Sequence, residues 1–409
     1  RPPEGLYVHF PFCVSLCPYC DFVVVAGSAA RGPRNRVAPL HAALLAELEL
    51  RADDVEARFG ARRPPLSSVY IGGGTPSLME STQVAALLEA IDRRLGIASD
   101  AEVTLEANPG PDEIGDLDGF GSGGVNRLSV GVQSLQATEL RRLGRRHRPA
   151  DVAAAVRRAR VAGIGSISLD LLTDVPGQTL ESWRATLESA LALEPDHLSV
   201  YTLTLDDPEA EGLTGPDGDH LPLTKGARAW RERALVEQSD ERAAEMELLT
   251  DELAEAAGLR RYEVANLARP GAESRHNLLY WRRRPYLALG PGAHASDGAL
   301  RRTWNAARLD RYVAALDGGQ LPPGGAEDVD EATARAESAI LGLRLREGIT
   351  AEMAAWPAFE AGFGWAREHG LAETVEGRVR LTQQGRLLAN ELFARLLPDE
   401  DGAGGGGAA

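Results

Sequence analysis

Residues 6–22 read LYVHFPFCVSLCPYCDF: an apolar run, Leu6–Phe10, that breaks at Pro11 into a turn-rich segment carrying Cys13, Cys17 and Cys20. A short apolar run rich in aromatic and β-branched residues and ended by proline reads as a buried strand followed by a loop. The same grammar recurs along the chain. β-type runs are expected at Ser68–Ile71, Glu102–Glu106, Arg127–Val132, Ser166–Leu172 and His197–Leu205. Polar or glycine-bearing segments follow each of them: GGGTP, EANPG, GVQS, DLLTDVPGQT and TLTLDDP. Helical patterns fill the intervals, over Val37–Phe59, Thr82–Leu95, Asp151–Ala162, Leu180–Leu193 and Ala227–Ala257. Alternating strands and helices predict an α/β fold with parallel strands, and six such units a partial (β/α)6 barrel. In that architecture the loops after the strands share one face, where chemistry gathers. Six polar segments distant in sequence are therefore expected to converge.

Composition narrows the function classes. The chain has 409 residues, 44% apolar and 25% charged, the balance of a globular protein with a sizeable core. Acids outnumber bases 60 to 44, for a net charge of −16, which argues against a nucleic-acid partner. A single lysine, Lys225, stands far from any glycine-rich turn that would need one for phosphate binding. No apolar stretch is long enough for a membrane span, and no basic-then-apolar leader is visible, so a cytoplasmic location is expected.

Four regions follow from the pattern. Residues 1–222 form the strand–helix core, with 26–36 as a polar loop. Residues 223–325 read as a helical and aromatic extension containing ESRHNLLYWRRRPYLALGPGAHA at 273–295. Residues 326–398 read as an α-rich, winged-helix-like domain, with helices over Glu331–Leu345 and Gln384–Leu397 around a strand at Arg378–Leu381. The glycine-rich tail, 399–409, is expected to be disordered.

All the cysteines of the chain, Cys13, Cys17 and Cys20, fall within eight residues, in the spacing C-x3-C-x2-C. An odd, clustered set is a poor disulfide framework and points to metal ligation in a reducing compartment. Three thiolates can hold three corners of a cubane iron–sulfur cluster and leave one iron open. A structural zinc site would need a fourth ligand such as His9 or His41.

The C-x3-C-x2-C motif with Tyr19 before its last cysteine resembles that of the radical S-adenosylmethionine (SAM) superfamily. The flanking YVHFPFC and CDF are similar to the oxygen-independent coproporphyrinogen III oxidase-like branch. The resemblance continues through GGGTPS at 72–77, TLEANPG at 104–110, RLSVGVQS at 127–134, LGRRH at 143–147 and DLLTDVPGQT at 170–179. It implies a [4Fe–4S] cluster on the cysteines, SAM chelated at the open iron, and reductive cleavage of SAM to methionine and a 5′-deoxyadenosyl radical. Residue by residue it implies that Gly73, Gly74 and Thr75 offer backbone amides and a hydroxyl to the methionine end of SAM. Tyr7 and Tyr19 would pack beside SAM. Glu106, Gln133 and Asp170 would bind its hydroxyl and amino groups, Arg145 would pair with its carboxylate, and Thr204 and His294 would add adenosine contacts. Plainer roles remain open: a tight turn for the glycines, helix caps for Glu106 and Asp170, a solvated basic run for Arg145, and strand packing for Tyr7.

Two activities of that branch compete, and two features favour HemW-type haem chaperones over the oxidase. The oxidase motif usually has a fourth cysteine where Phe22 stands here. In addition, His276, Asn277, Tyr280 and Trp281 match the H-N-x-x-Y-W motif associated with haem binding in the chaperones. An imidazole can ligate haem iron, flat aromatics can pack a porphyrin, and Arg275 and Arg282–Arg284 could pair with propionates. A buried histidine among structural aromatics is the alternative. The implied partners are haem, haem-requiring acceptors such as respiratory proteins at the membrane, and a second copy of the chain. An oxidase, and more remotely a winged module that binds nucleic acid, stand as the other readings.

Overall fold

The computed structural model describes residues 1–30 and 35–398; the tail expectation for 399–409 and part of the 26–36 loop lie outside the described residues. The six expected strands form: β1 Gly5–Phe10, β2 Leu66–Gly73, β3 Ile97–Ala107, β4 Arg127–Gln133, β5 Ser166–Thr173 and β6 His197–Thr202. Each pairs in parallel with the next. Alternate residues such as Leu6, Val8 and Phe10 of β1 and Leu128 and Val130 of β4 are buried on the face covered by the helices, while Ser129, Ser168, Asp170 and Ser199 from the other face line the interior.

The crossover helices cover the outer face. In α1, Val37–Phe59, buried Leu40, Ala43, Leu44, Leu48, Ala52 and Val55 recur at the three- and four-residue spacing of one helical face. The helix Ser81–Leu95 ends at Gly96, whose φ of 76° closes it. The helix Leu180–Leu191 starts at Thr179, whose hydroxyl accepts the Ser182 N–H at 3.1 Å. It buries Trp183 completely, with the indole N–H donating to Met246 O and Thr250 Oγ1, both at 3.1 Å. The single helix expected over 227–257 is two, Lys225–Leu235 and Asp240–Ala256, divided where the Ser239 hydroxyl caps the second.

The sheet does not stop at six strands. The segment 260–328, read from sequence as helical and aromatic, also supplies β7 Arg260–Arg261, β8 Asn266–Ala268, β9 Tyr286–Leu289, β10 His294–Ser296, β11 Arg301–Asn305 and β12 Gly324–Asp328. The order across the sheet is β12-β11-β10-β9-β1-β2-β3-β4-β5-β6-β8-β7. β9 joins β1 in parallel, and β10, β11 and β12 continue from it as an antiparallel meander. The helix Arg275–Trp281 enters against the amino ends of β1 and β2, so the HNLLYW segment plugs the floor of the open barrel.

After Asp330 the chain forms helix Glu331–Arg344, a strand at Ile349–Thr350, helix Glu360–Glu368 and the hairpin Ala372–Val375 with Arg378–Leu381, the three strands pairing in one small sheet. Phe359, Phe363, Leu343 and Leu392 give this unit its own core. Among the described residues no helix is long and apolar enough to cross a membrane.

Candidate functional site

The loops after β1 to β6 meet at the carboxyl ends of the strands around a cavity of about 640 Å³. Cys13, Cys17 and Cys20 line one wall. Their loop is clamped from outside by buried Arg231, which donates through Nη2 to Tyr19 O at 2.9 Å and through Nε to Pro18 O at 3.3 Å. Nothing in the sequence around Arg231 signals this role, because its partners lie more than 200 residues away. The Thr75 hydroxyl donates to Cys13 Sγ at 3.6 Å, and Arg145 Nη1 lies 3.7 Å from Cys17 Sγ.

Burial pushes the Cys13 thiol up to about 12, with the nearby Cys17 adding to it, and raises Cys20 in the same way through Cys17 and Cys13. Three thiolates this close in a desolvated wall are unfavourable by themselves and become favourable when a multiply charged cation binds them. Among the described residues no three His, Cys, Asp or Glu side chains close around a single-ion position. The fit is instead that of an iron–sulfur cluster held on one side, with the Thr75 and Arg145 donors bonded to sulfur.

Two carboxylates face the thiols. Glu106, at the end of β3, accepts the Tyr70 hydroxyl at 2.7 Å and the Gly73 N–H at 2.9 Å. Burial raises its pKa to about 7, and the neighbouring Asp170 charge adds to the shift. Asp170, on β5, accepts from the Ser129 hydroxyl at 3.0 Å and the Ser168 hydroxyl at 3.2 Å, and burial raises its pKa too. Gln133 reaches the same cavity because the β4–β5 register shifts between Gly131 and Gln133, whose φ of 65° re-aims the side chain. Arg145 spans the wall by donating through Nη2 to Gly131 O at 2.6 Å and to Asn108 Oδ1. Tyr19 and Thr204 complete the lining named from sequence.

Other expectations are corrected. Gly73 and Gly74 line the cavity, but the amides of the GGGT turn are bonded within the protein: Gly73 N–H to Glu106, Gly74 N–H to Phe10 O at 2.7 Å, with Thr75 N–H to Phe12 O at 2.8 Å. Its glycines are demanded by the fold, since a Cβ on Gly73 (φ 110°) would sit 2.5 Å from the His9 ring and one on Gly74 2.7 Å from Phe12 O. Thr75 is buried behind Cys13. Tyr7 lies below the cavity, its hydroxyl 2.9 Å from His9 Nδ1. His294 lies outside it, 45% exposed and 2.8 Å from Asp219.

The HNLLYW segment is divided. Asn277 lines the cavity from below. His276 is only 1% exposed, and both ring nitrogens are engaged, Nδ1 with Ser68 Oγ at 2.9 Å and Nε2 with the Tyr280 hydroxyl at 2.8 Å. Burial lowers its pKa to about 3, so it is a neutral interior imidazole. Tyr280 packs edge-on against Tyr286, and the Arg344 guanidinium lies 4.5 Å over Trp281. Sequence reasoning also missed Tyr70, Asn108, Ser129 and Ser168, which hold the residues it named. Their position at or near strand ends was the available signal.

Comparison with known proteins places these features. Residues 7–190 match the model of the Radical SAM superfamily. The chain is 34% identical to heme chaperone HemW of Mycobacterium tuberculosis over 97% of this chain and 95% of that protein. It is 38% identical to heme chaperone HemW of Escherichia coli over 74% of this chain and 73% of that protein. The crystal structure of coproporphyrinogen III oxidase from E. coli, a radical SAM enzyme, superimposes with a TM-score of 0.77, at 22% identity, over 97% of this chain and 90% of that one, a likeness of fold. The chain belongs to the radical SAM superfamily and, within it, to the HemW family.

Proposed function

We propose that this protein is a haem chaperone that binds haem and passes it to haem-requiring acceptors, carrying a [4Fe–4S] cluster and SAM in the strand-end cavity. The observation that carries the reading is similarity along nearly the whole chain, 97% of it, to proteins named for haem chaperoning. Cys13, Cys17 and Cys20 hold the cluster, and Phe22, exposed at the cavity mouth, adds no fourth thiolate. The cluster, when bound, supplies an open iron for the methionine end of SAM and an electron for sulfonium cleavage. Glu106 and Asp170 accept hydrogen bonds from hydroxyl and amino groups, Gln133 donates and accepts, and Tyr19 and Thr204 bound the space. Arg145 keeps Nε and one Nη1 hydrogen for a carboxylate, the other Nη1 hydrogen going to Cys17 Sγ and the Nη2 hydrogens to Gly131 and Asn108. Thr75 and Tyr7 position Cys13 and His9 rather than touch SAM.

The regions 1–222, 223–325 and 326–398 serve as cluster-and-SAM core, floor and sheet extension, and cover. The protein works in a reducing cytoplasm, peripheral to the membrane where respiratory acceptors lie, and as a homodimer if its exposed faces pair. Anaerobically reconstituted full-length protein tests the reading. It should bind haem saturably, release it to an apo-haemoprotein, and leave coproporphyrinogen III unchanged. Decarboxylation of coproporphyrinogen without haem binding would establish the oxidase instead.

A further inference from the structure

The cavity does not end at the carboxylates that face the thiols. On β4 the alternate residues Arg127, Ser129, Gly131 and Gln133 all line it. It therefore follows one face of the strand from carboxyl end to amino end, about 20 Å at ~3.3 Å per residue. Ser168 on β5 and His197 on β6 continue the same descent. At the floor stand Ser274 and Asn277, from the start of the helix Arg275–Trp281. Arg127 joins them from the barrel, and Arg344 from the end of the helix Glu331–Arg344 in the C-terminal unit.

These two arginines make no ion pair among the described residues. Arg127, 3% exposed, donates through Nη1 to Ser166 Oγ at 2.8 Å and Ala272 O at 3.0 Å. Arg344 lies 4.5 Å over the Trp281 ring, and its Nε and the Trp281 indole N–H are both buried without an acceptor. The acids of this region serve other groups. Glu247 stands 3.8 Å from Arg261 and from Arg386. Glu263 accepts from the Ala265 N–H at 3.1 Å and from Asn266 Nδ2, and only its Oε2 is left without a partner. The arginines beside HNLLYW, by contrast, already face acids: Arg275 with Asp100 at 3.2 Å, Arg282 with Glu347 and Arg283 with Glu337 at 3.3 Å, and Arg284 with Glu4 at 2.5 Å.

We infer that Arg344 and Arg127 form a carboxylate subsite at the floor of the cluster cavity, and that it takes a propionate of the haem cargo. The inference rests on the haem-chaperone reading and concerns the propionate alone. The porphyrin face stays with the HNLLYW helix, whose Asn277 lines the same floor. A buried cation without a counter-ion is costly, and a carboxylate on the ligand removes that cost. A guanidinium also presents paired N–H donors that match the two oxygens of a carboxylate. The other end of the cavity makes the opposite demand, since Glu106 and Asp170 suit hydroxyl and amino donors. The two ends therefore select different chemical groups, and the floor is the end that selects an anion.

The test compares haemin with its dimethyl ester, which lacks both carboxylates, in Soret titrations of the reconstituted full-length protein in one detergent buffer. Retained cluster absorption reports folding. Wild-type protein should prefer haemin by about tenfold, the worth of a charge-assisted hydrogen bond. Arg344→Gln should lose about that factor for haemin and little for the ester, and Arg344→Lys should regain part of it. Arg282→Gln, whose residue faces Glu347, should keep the wild-type preference. Wild-type protein indifferent to esterification would overturn the subsite while leaving the chaperone reading intact. So would an Arg344→Gln variant weakened equally for both ligands, because a structural role beside Glu263 would have that effect. Loss of the preference in Arg282→Gln but not in Arg344→Gln would return the propionate to the arginines beside HNLLYW. Wild-type protein that binds neither ligand would overturn the chaperone reading as well.

Discussion

Glu106 ties the cavity to pH in a way that two readouts can separate. Burial lifts its carboxyl from an ordinary 4.5 to about 7, against the pull of the Tyr70 and Gly73 donors. A raised carboxylate pKa means that the ligand-free fold favours the neutral acid. Its contribution to stability is full below about pH 4.5 and is lost as pH rises through about 7. SAM, with its sulfonium and ammonium charges and its hydroxyl donors, favours the ionised form. Ligand affinity should therefore rise over the window in which intrinsic stability falls. If only the carboxylate form binds, the competent fraction falls about tenfold between about pH 8 and about pH 6, worth about 1.4 kcal/mol. Equilibrium dialysis of SAM against anaerobically reconstituted protein measures this directly. Glu106→Gln should flatten the profile, and Asp170→Asn should move its midpoint to lower pH by removing the neighbouring charge. A wild-type profile that is level across this range, or one unchanged in Glu106→Gln, would refute the reasoning.

Other perturbations have expected outcomes of their own. Cys17→Ser should leave fewer than four irons per chain after reconstitution, and full iron retention would count against the thiol wall as a cluster site. Glu47 is fully buried at the join between α1 and the sheet extension, accepting from Tyr312 Oη at 2.6 Å, Asn305 Nδ2 at 2.8 Å and Gly290 N–H at 2.9 Å. Its replacement by Ala strands these donors and should cost about 3–5 kcal/mol, read from the denaturation midpoint. Trp183→Ala should cost a similar ~3–5 kcal/mol by emptying the space between the helices at 180–191 and 240–256. Gly73→Ala should lower stability before it alters SAM affinity, because its Cβ meets His9 and its φ is left-handed. An unchanged melting temperature with weakened SAM binding would restore the amide-to-ligand role that the geometry denies.

The parts of this fold that sequence made legible share a physical cause. One face of β1 to β6 is covered by helices, so alternate residues such as Leu128 and Val130 must be apolar, and the polar segments after the strands stand out by contrast. The later strands carry no such mark. β11 is RRTWN and β12 is GGAED, and the latter is largely exposed. They are held by backbone pairing at a sheet edge, which places little demand on side chains. Among the cavity-lining residues, Cys13, Cys17, Cys20, Glu106, Gln133 and Thr204 were legible because they follow or end a strand, whereas Asp170 lies within β5 and Arg145 follows a helix, and both were named from the motif resemblance. The direction in which a group points was not legible. Gly73 turns its amide to Glu106, 33 residues on, and His276 spends a nitrogen on Ser68, 208 residues back. Motif spacing contains neither contact.

The claim on which the rest depends is that the three thiols and the facing carboxylates build a single site for a cluster and SAM. The electron paramagnetic resonance spectrum of the reduced, reconstituted protein, recorded with and without SAM, examines it most directly. The account predicts a [4Fe–4S] signal whose g-values shift when SAM is added, and no such signal in Cys17→Ser. A cluster signal indifferent to SAM, or one that survives the loss of Cys17, would contradict it.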